Sequence, residues 1–116
     1  MTEEERAVLE FLLVPDFHDA ETLRDQARHA EVDDLCGCGC PSFGLAVDKS
    51  RSTRAEVSPR HPVISAAPSL DPLPGYELLL FTDDGWLSYV ELVWYGESPP
   101  SSFPALSDFE PAEQHQ

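Results

Sequence analysis

At 116 residues the chain has the length of one domain, enough to bury roughly two-thirds of its unfolded surface in a core. Its 41% apolar fraction and 11 prolines describe a compact body with irregular segments rather than a disordered chain. The formal net charge of −15 repels phosphate backbones and anionic lipid, which disfavours direct nucleic-acid or membrane-surface binding.

The opening Met1-Thr2-Glu3-Glu4-Glu5 lacks the basic start and apolar run of a signal peptide. No apolar stretch approaches membrane-spanning length, so the expected setting is cytoplasmic. Thr2 followed by Glu5 reads as a capping box, and Glu3 and Glu4 suit the positive end of a helix dipole. The helix should run to about Val14 and stop before Pro15, with Val8, Leu9, Phe11 and Leu12 as its apolar stripe. A second helix fits Ala20 to about Arg28, with Asp19 as N-cap. Its thin stripe of Ala20, Leu23 and Ala27 predicts a surface position.

From Ala30 the period changes to two. Ala30 to Cys36 and Ser42 to Val47 are strand candidates joined as a hairpin through Gly37 and Gly39. Asp48 to Pro62 is a polar loop and the chain's basic segment, carrying Lys49, Arg51, Arg54, Arg60 and His61. A short strand near Val63 to Ala67 follows, and Pro72, Pro74 and Gly75 make a turn. The clearest signal is Tyr76 to Tyr95, two long apolar strands flanking Asp83-Asp84-Gly85. Gly85 supplies the positive φ that a tight hairpin requires. Both faces of this hairpin carry large side chains, so it should be central and covered on at least one side. Trp86, Trp94 and Tyr95 divide between core and contact surface, with at least one Trp expected in the core. Residues 98–116 form a Pro-rich extended tail, anchored by Phe103 and Leu106 and frayed from Glu110. The fold these elements specify is α+β, in which two N-terminal helices pack on one face of an antiparallel sheet of four or five strands. The single domain covers 1–97.

Chemistry is concentrated in Cys36-Gly37-Cys38-Gly39-Cys40-Pro41. Cys36, Cys38 and Cys40 are an odd number of thiols in five residues, which is no disulfide framework. As thiolates they are candidate zinc ligands, with His18, His29 or His61 as a fourth. Zinc knuckles place two residues between cysteines; a single intervening Gly leaves the Cα atoms roughly 6–7 Å apart in an extended chain. Small thiols packed in a tight Gly hairpin are the simpler expectation. A redox role lacks the strand, CxxC and helix start that lower a thiol pKa. Asp83-Asp84-Gly85 lacks the alternating ligands of a calcium loop and reads as a turn. Glu77 and Glu91 lie on the two strands of one hairpin and could face each other as an acid–base pair, against the simpler reading of solvated strand positions. The sequence contains no nucleophile elbow and no Gly-rich phosphate loop opening a helix.

The charge is unevenly placed. Residues 1–34 hold eleven acids and three arginines, residues 35–75 three acids and four bases, and residues 76–116 eight acids and no base. Such a field attracts and steers a basic partner, or serves solubility alone.

The opening helix with its leucines, Cys36-Gly37-Cys38-Gly39-Cys40-Pro41-Ser42 and the late Leu92-Val93-Trp94-Tyr95-Gly96 resemble a family of small, chiefly actinobacterial proteins, over about residues 7–104. The resemblance implies a bacterial cytoplasmic setting. It brings no activity and no site residue with it. The leading functional expectation is a non-enzymatic acidic interaction protein, of inhibitor or immunity type, with a basic protein as partner and no cofactor. A zinc module using the three thiols is the alternative, and an enzyme comes third.

Overall fold

The computed structural model describes residues 1–35, 39–57, 64–66, 76–94, 100–110 and 112–114. Helices α1 (Glu3–Leu12) and α2 (Ala20–Arg28) precede strands β1 (Ala30–Leu35), β2 (Phe43–Val47), β3 (Ile64–Ala66), β4 (Tyr76–Asp83) and β5 (Trp86–Trp94). A 3-10 turn (Leu106–Asp108) and a two-residue strand, β6 (Glu113–Gln114), follow. The strands form one sheet in the order β1-β2-β5-β4-β3-β6, with every pair antiparallel. The architecture is α+β, as the sequence indicates, with five main strands and the short sixth on the edge beyond β3.

The capping box is present: Thr2 N–H donates to Glu5 Oε1 at 2.8 Å, and Glu5 N–H donates to Thr2 Oγ1 at 3.1 Å. α1 ends two residues earlier than its apolar period suggests, with Leu13 as C-cap. Its last turn has no basic residue of its own. Arg24 of α2 supplies the charge instead. Its Nε donates to Leu13 O at 2.7 Å, and its Nη2 donates to Val14 O and Pro15 O at 3.1 and 2.8 Å. One planar guanidinium thus gathers the three carbonyls that follow the helix, at the end where the helix dipole favours a cation.

Asp19 is the N-cap of α2 but does not cap it with its side chain. It sits in the left-handed region at φ 64, and its carboxylate accepts from Thr22 Oγ1 at 3.1 Å and from Glu56 N–H at 2.6 Å. α2 is not the surface helix that its thin stripe predicts. Ala20, Leu23, Gln26 and Ala27 are all buried, and the helix lies against β5. The reason is Gln26, whose amide is fully buried and hydrogen-bonded on both sides, so a polar residue completes the inward face.

The core is the sheet's inner face with the two helices upon it. Leu78 is paired with Leu92, Leu80 with Val90, Phe43 with Val90, Ile64 with Leu80 and Ala66 with Leu78. All of these are buried, in one cluster with Val8, Leu9, Leu12 and Leu23 of the helices. Each of the large side chains here contributes about 1.5–3 kcal/mol relative to leaving it in water. Neither Trp belongs to this cluster, contrary to the expectation of one in the core. Trp86 and Trp94 are half-buried, and the leucines with Phe43 fill the space instead.

The hairpin of β4 and β5 turns through Asp84 and Gly85, with φ of 50° and 83°. Two consecutive positive φ values mark the type I′ turn, whose twist matches that of the strands. Gly85 is required twice. A Cβ there would also collide with the Ala55 carbonyl and lie 2.6 Å from Arg54 Cγ. Beyond the turn the register shifts between Phe81 and Thr82, so that Phe81 faces Tyr89 and Thr82 faces Leu87.

Residues after Pro100 return to the body. Phe103 packs edge-on to Phe43 at 6.0 Å, and its N–H donates to Glu4 Oε1 at 3.0 Å. Phe109 is buried beside Phe11, with ring centroids 6.4 Å apart. The expected fraying from Glu110 is not found at Ala112 to Gln114, where Ala112 is buried and β6 pairs with β3. The exposed edge of the short β3 is thereby covered.

Candidate functional site

Of the three candidate metal ligands, Cys36 and Cys38 lie outside the described residues, as do His61 and Tyr95. Cys40 is buried, and its Sγ donates to Ser42 Oγ at 3.4 Å. Ser42 Oγ accepts in turn from Leu92 N–H at 2.9 Å. Ser42 sits just before β2, so its hydroxyl extends the β2–β5 pairing by one more bond. Cys40 is turned toward that hydroxyl. Among the described residues no three His, Cys, Asp or Glu side chains gather around a common point.

Glu77 and Glu91 are not opposed. Glu77 is paired with Val93, and Glu91 with Leu79. The two carboxylates are diagonal neighbours on the outer face of the sheet, both half-buried, with Leu79, Phe81, Tyr89 and Val93 around them. Diagonal positions lie about 7–8 Å apart, so the two do not meet directly across the hairpin.

A polar cleft of about 410 Å³ opens where α2 meets β1, lined by Arg28, His29, Glu31, Asp48 and Arg51 among others. His29 Nδ1 lies 3.2 Å from Ser52 Oγ and 3.1 Å from the Asp25 carbonyl. A serine beside a histidine invites a nucleophilic reading. The carbonyl decides against it. Asp25 O can only accept, so in the tautomer that makes this bond Nδ1 carries the proton, donates it to Asp25 O and cannot take one from Ser52. His29 is the C-cap of α2, and this bond closes the helix end. Nearby, Ser50 donates its hydroxyl and its backbone N–H to Asp48 Oδ1 and holds that carboxyl below its ordinary range.

A second cleft, of about 300 Å³, runs between the helices and is walled by Leu9, Leu13, Val14 and Ala27. Arg6, Arg24 and Arg28, all the cations of the first 34 residues, line it. Arg24 is committed to the end of α1 and to Glu21 and Asp16, and Arg28 lies 3.3 Å from Asp25.

Sequence reasoning missed Gln26, Arg24 and the His29–Ser52 contact. No local pattern signals them, because their partners lie 10 or more residues away in most cases. Compared with protein-family models, with curated proteins and with solved structures, the chain matches none.

Proposed function

We propose that the protein is a non-enzymatic, cytoplasmic interaction protein, of inhibitor or immunity type, that occupies a basic surface on a protein partner. The observation that supports this reading is uncompensated negative charge. Among the described residues the cations are largely spent internally. Arg24, Arg28 and Arg54 are ion-paired, and Lys49 Nζ sits 5.3 Å over the Trp86 ring. By contrast, Glu3, Glu10, Glu31, Asp33, Asp83 and Glu110 are exposed, with no ion-pair partner among the described residues. They lie on α1, β1, the end of β4 and the C-terminal segment. Among the described residues no helix is long and apolar enough to cross a membrane.

A partner captured from the native host and identified by mass spectrometry tests the reading, followed by stopped-flow association. The partner should be basic. Its association rate should fall as added salt shortens the Debye length from about 30 Å to about 10 Å. An acidic partner with a salt-independent rate would overturn the proposal.

A further inference from the structure

The C-terminal end of α1 and the returning chain enclose an apolar groove at the margin of the core. Phe11, Val14 and Pro15 form one wall, and Leu106, Phe109 and Ala112 the other, around about 380 Å³. Its size is at the lower end of ligand pockets, which run to about 300–1,000 Å³. That is room for one or two large side chains. The tilted Phe11 and Phe109 rings contribute its aromatic surface. Val14 is 72% exposed, although its neighbours Leu12 and Leu13 are buried. An exposed β-branched side chain on the wall of an apolar groove gains from a covering partner.

Charge around the groove selects that partner. Exposed acids flank each wall in sequence, Glu10 and Asp16 on the helical side and Glu110 on the other, and Glu10 also lines the neighbouring cleft with Arg6, Arg24 and Arg28. Arg24, the cation bound to Val14 O and Pro15 O, already serves those carbonyls and Asp16. A second copy of the chain does not fit. Its net charge of −15 repels its own kind, and two of the described cations of its basic loop are engaged, Lys49 over Trp86 and Arg54 with Asp84.

We propose that this groove docks a basic segment of the protein partner, which inserts a large apolar anchor between Val14 and Leu106 while its Lys or Arg neighbours meet the acidic rim. The assignment rests on the interaction reading above and adds where the partner binds. An aromatic or leucine anchor desolvated in the groove supplies the affinity, and the rim supplies orientation and encounter rate.

The probe is a fluorescently labelled synthetic peptide with one Trp flanked on both sides by lysines, followed by anisotropy against the full chain. Val14→Ser keeps the exposed position and removes the apolar wall, so binding should weaken about tenfold. Glu10→Gln combined with Glu110→Gln should weaken it several-fold at low salt and little at high salt. No binding of the probe, equal binding by Val14→Ser, or equal binding of a peptide with glutamates in place of the lysines would each overturn the groove. A basic captured partner whose affinity is unchanged by Val14→Ser also overturns it while leaving the interaction reading intact. An acidic, salt-insensitive partner removes both.

Discussion

Gln26 grips the β4–β5 turn from the adjoining helix: its Nε2 donates to Gly85 O at 2.9 Å, and its Oε1 accepts from Leu87 N–H at 2.9 Å. The same Nε2 donates to Thr53 O at 2.8 Å, and Ala55 N–H donates to Gly85 O at 2.8 Å. One buried amide therefore joins α2, the loop after β2 and the tip of the central hairpin.

Gln26→Leu keeps the volume and leaves Leu87 N–H and Thr53 O without their partner. Urea melts should show a loss of about 2–4 kcal/mol, since stranded buried polar groups cost about 1–3 kcal/mol each. Gln26→Glu places a carboxylate against two carbonyls, which raises its pKa in the folded state. Its stability should be greatest at acid pH and fall as pH rises through that raised value. A variant as stable as the parent at every pH would show that the network does not hold the turn.

Gly85→Ala should cost at least about 2 kcal/mol, above the roughly 1 kcal/mol penalty of positive φ alone, because the new methyl meets the Ala55 backbone. Asp84→Gly, at φ 50 with an exposed side chain, provides the contrast. It relieves the backbone and gives up only the exposed ion pair with Arg54, so it should change the urea midpoint little.

Thr82 is buried opposite Leu87, and its Oγ1 has no hydrogen-bond partner among the described residues. Thr82→Val preserves the shape and removes the stranded hydroxyl. It should raise stability by about 1 kcal/mol, read as a higher urea midpoint at unchanged slope. A lower midpoint would mean that the hydroxyl is satisfied in solution.

Asp19 has its carboxyl held below the ordinary value of 3.8, chiefly by the Glu56 N–H and secondarily by Thr22, against some desolvation. A carboxyl lowered in the folded state stabilises above its unfolded pKa, and that contribution disappears as pH falls through the folded value. Asp19→Asn tolerates the left-handed backbone equally well. The parent should therefore exceed this variant in stability near neutral pH, with the gap closing as pH drops below 3.8. A gap that is constant with pH would assign the effect to geometry rather than charge.

The elements legible in the sequence were those whose causes lie within a few residues. Thr2 and Glu5 are three apart and cap α1; Asp84-Gly85 permits one tight turn and so fixes the β4–β5 hairpin; alternation from Ala30 and from Phe43 yields β1 and β2. Short-range sterics and hydrogen bonding decide these, and the side-chain period reports them. Tertiary structure alone decided that β5 lies between β2 and β4, that Arg24 closes a helix it does not belong to, and that Gln26 is interior although glutamine is usually outside. It also seated Phe109 against Phe11 and so made the groove, and it left both tryptophans half-buried. The physical reason is that a buried donor, acceptor or ring is stabilised only by the partner it meets. Here those partners come from segments as far apart as residues 26 and 87 or 11 and 109, which no local period connects.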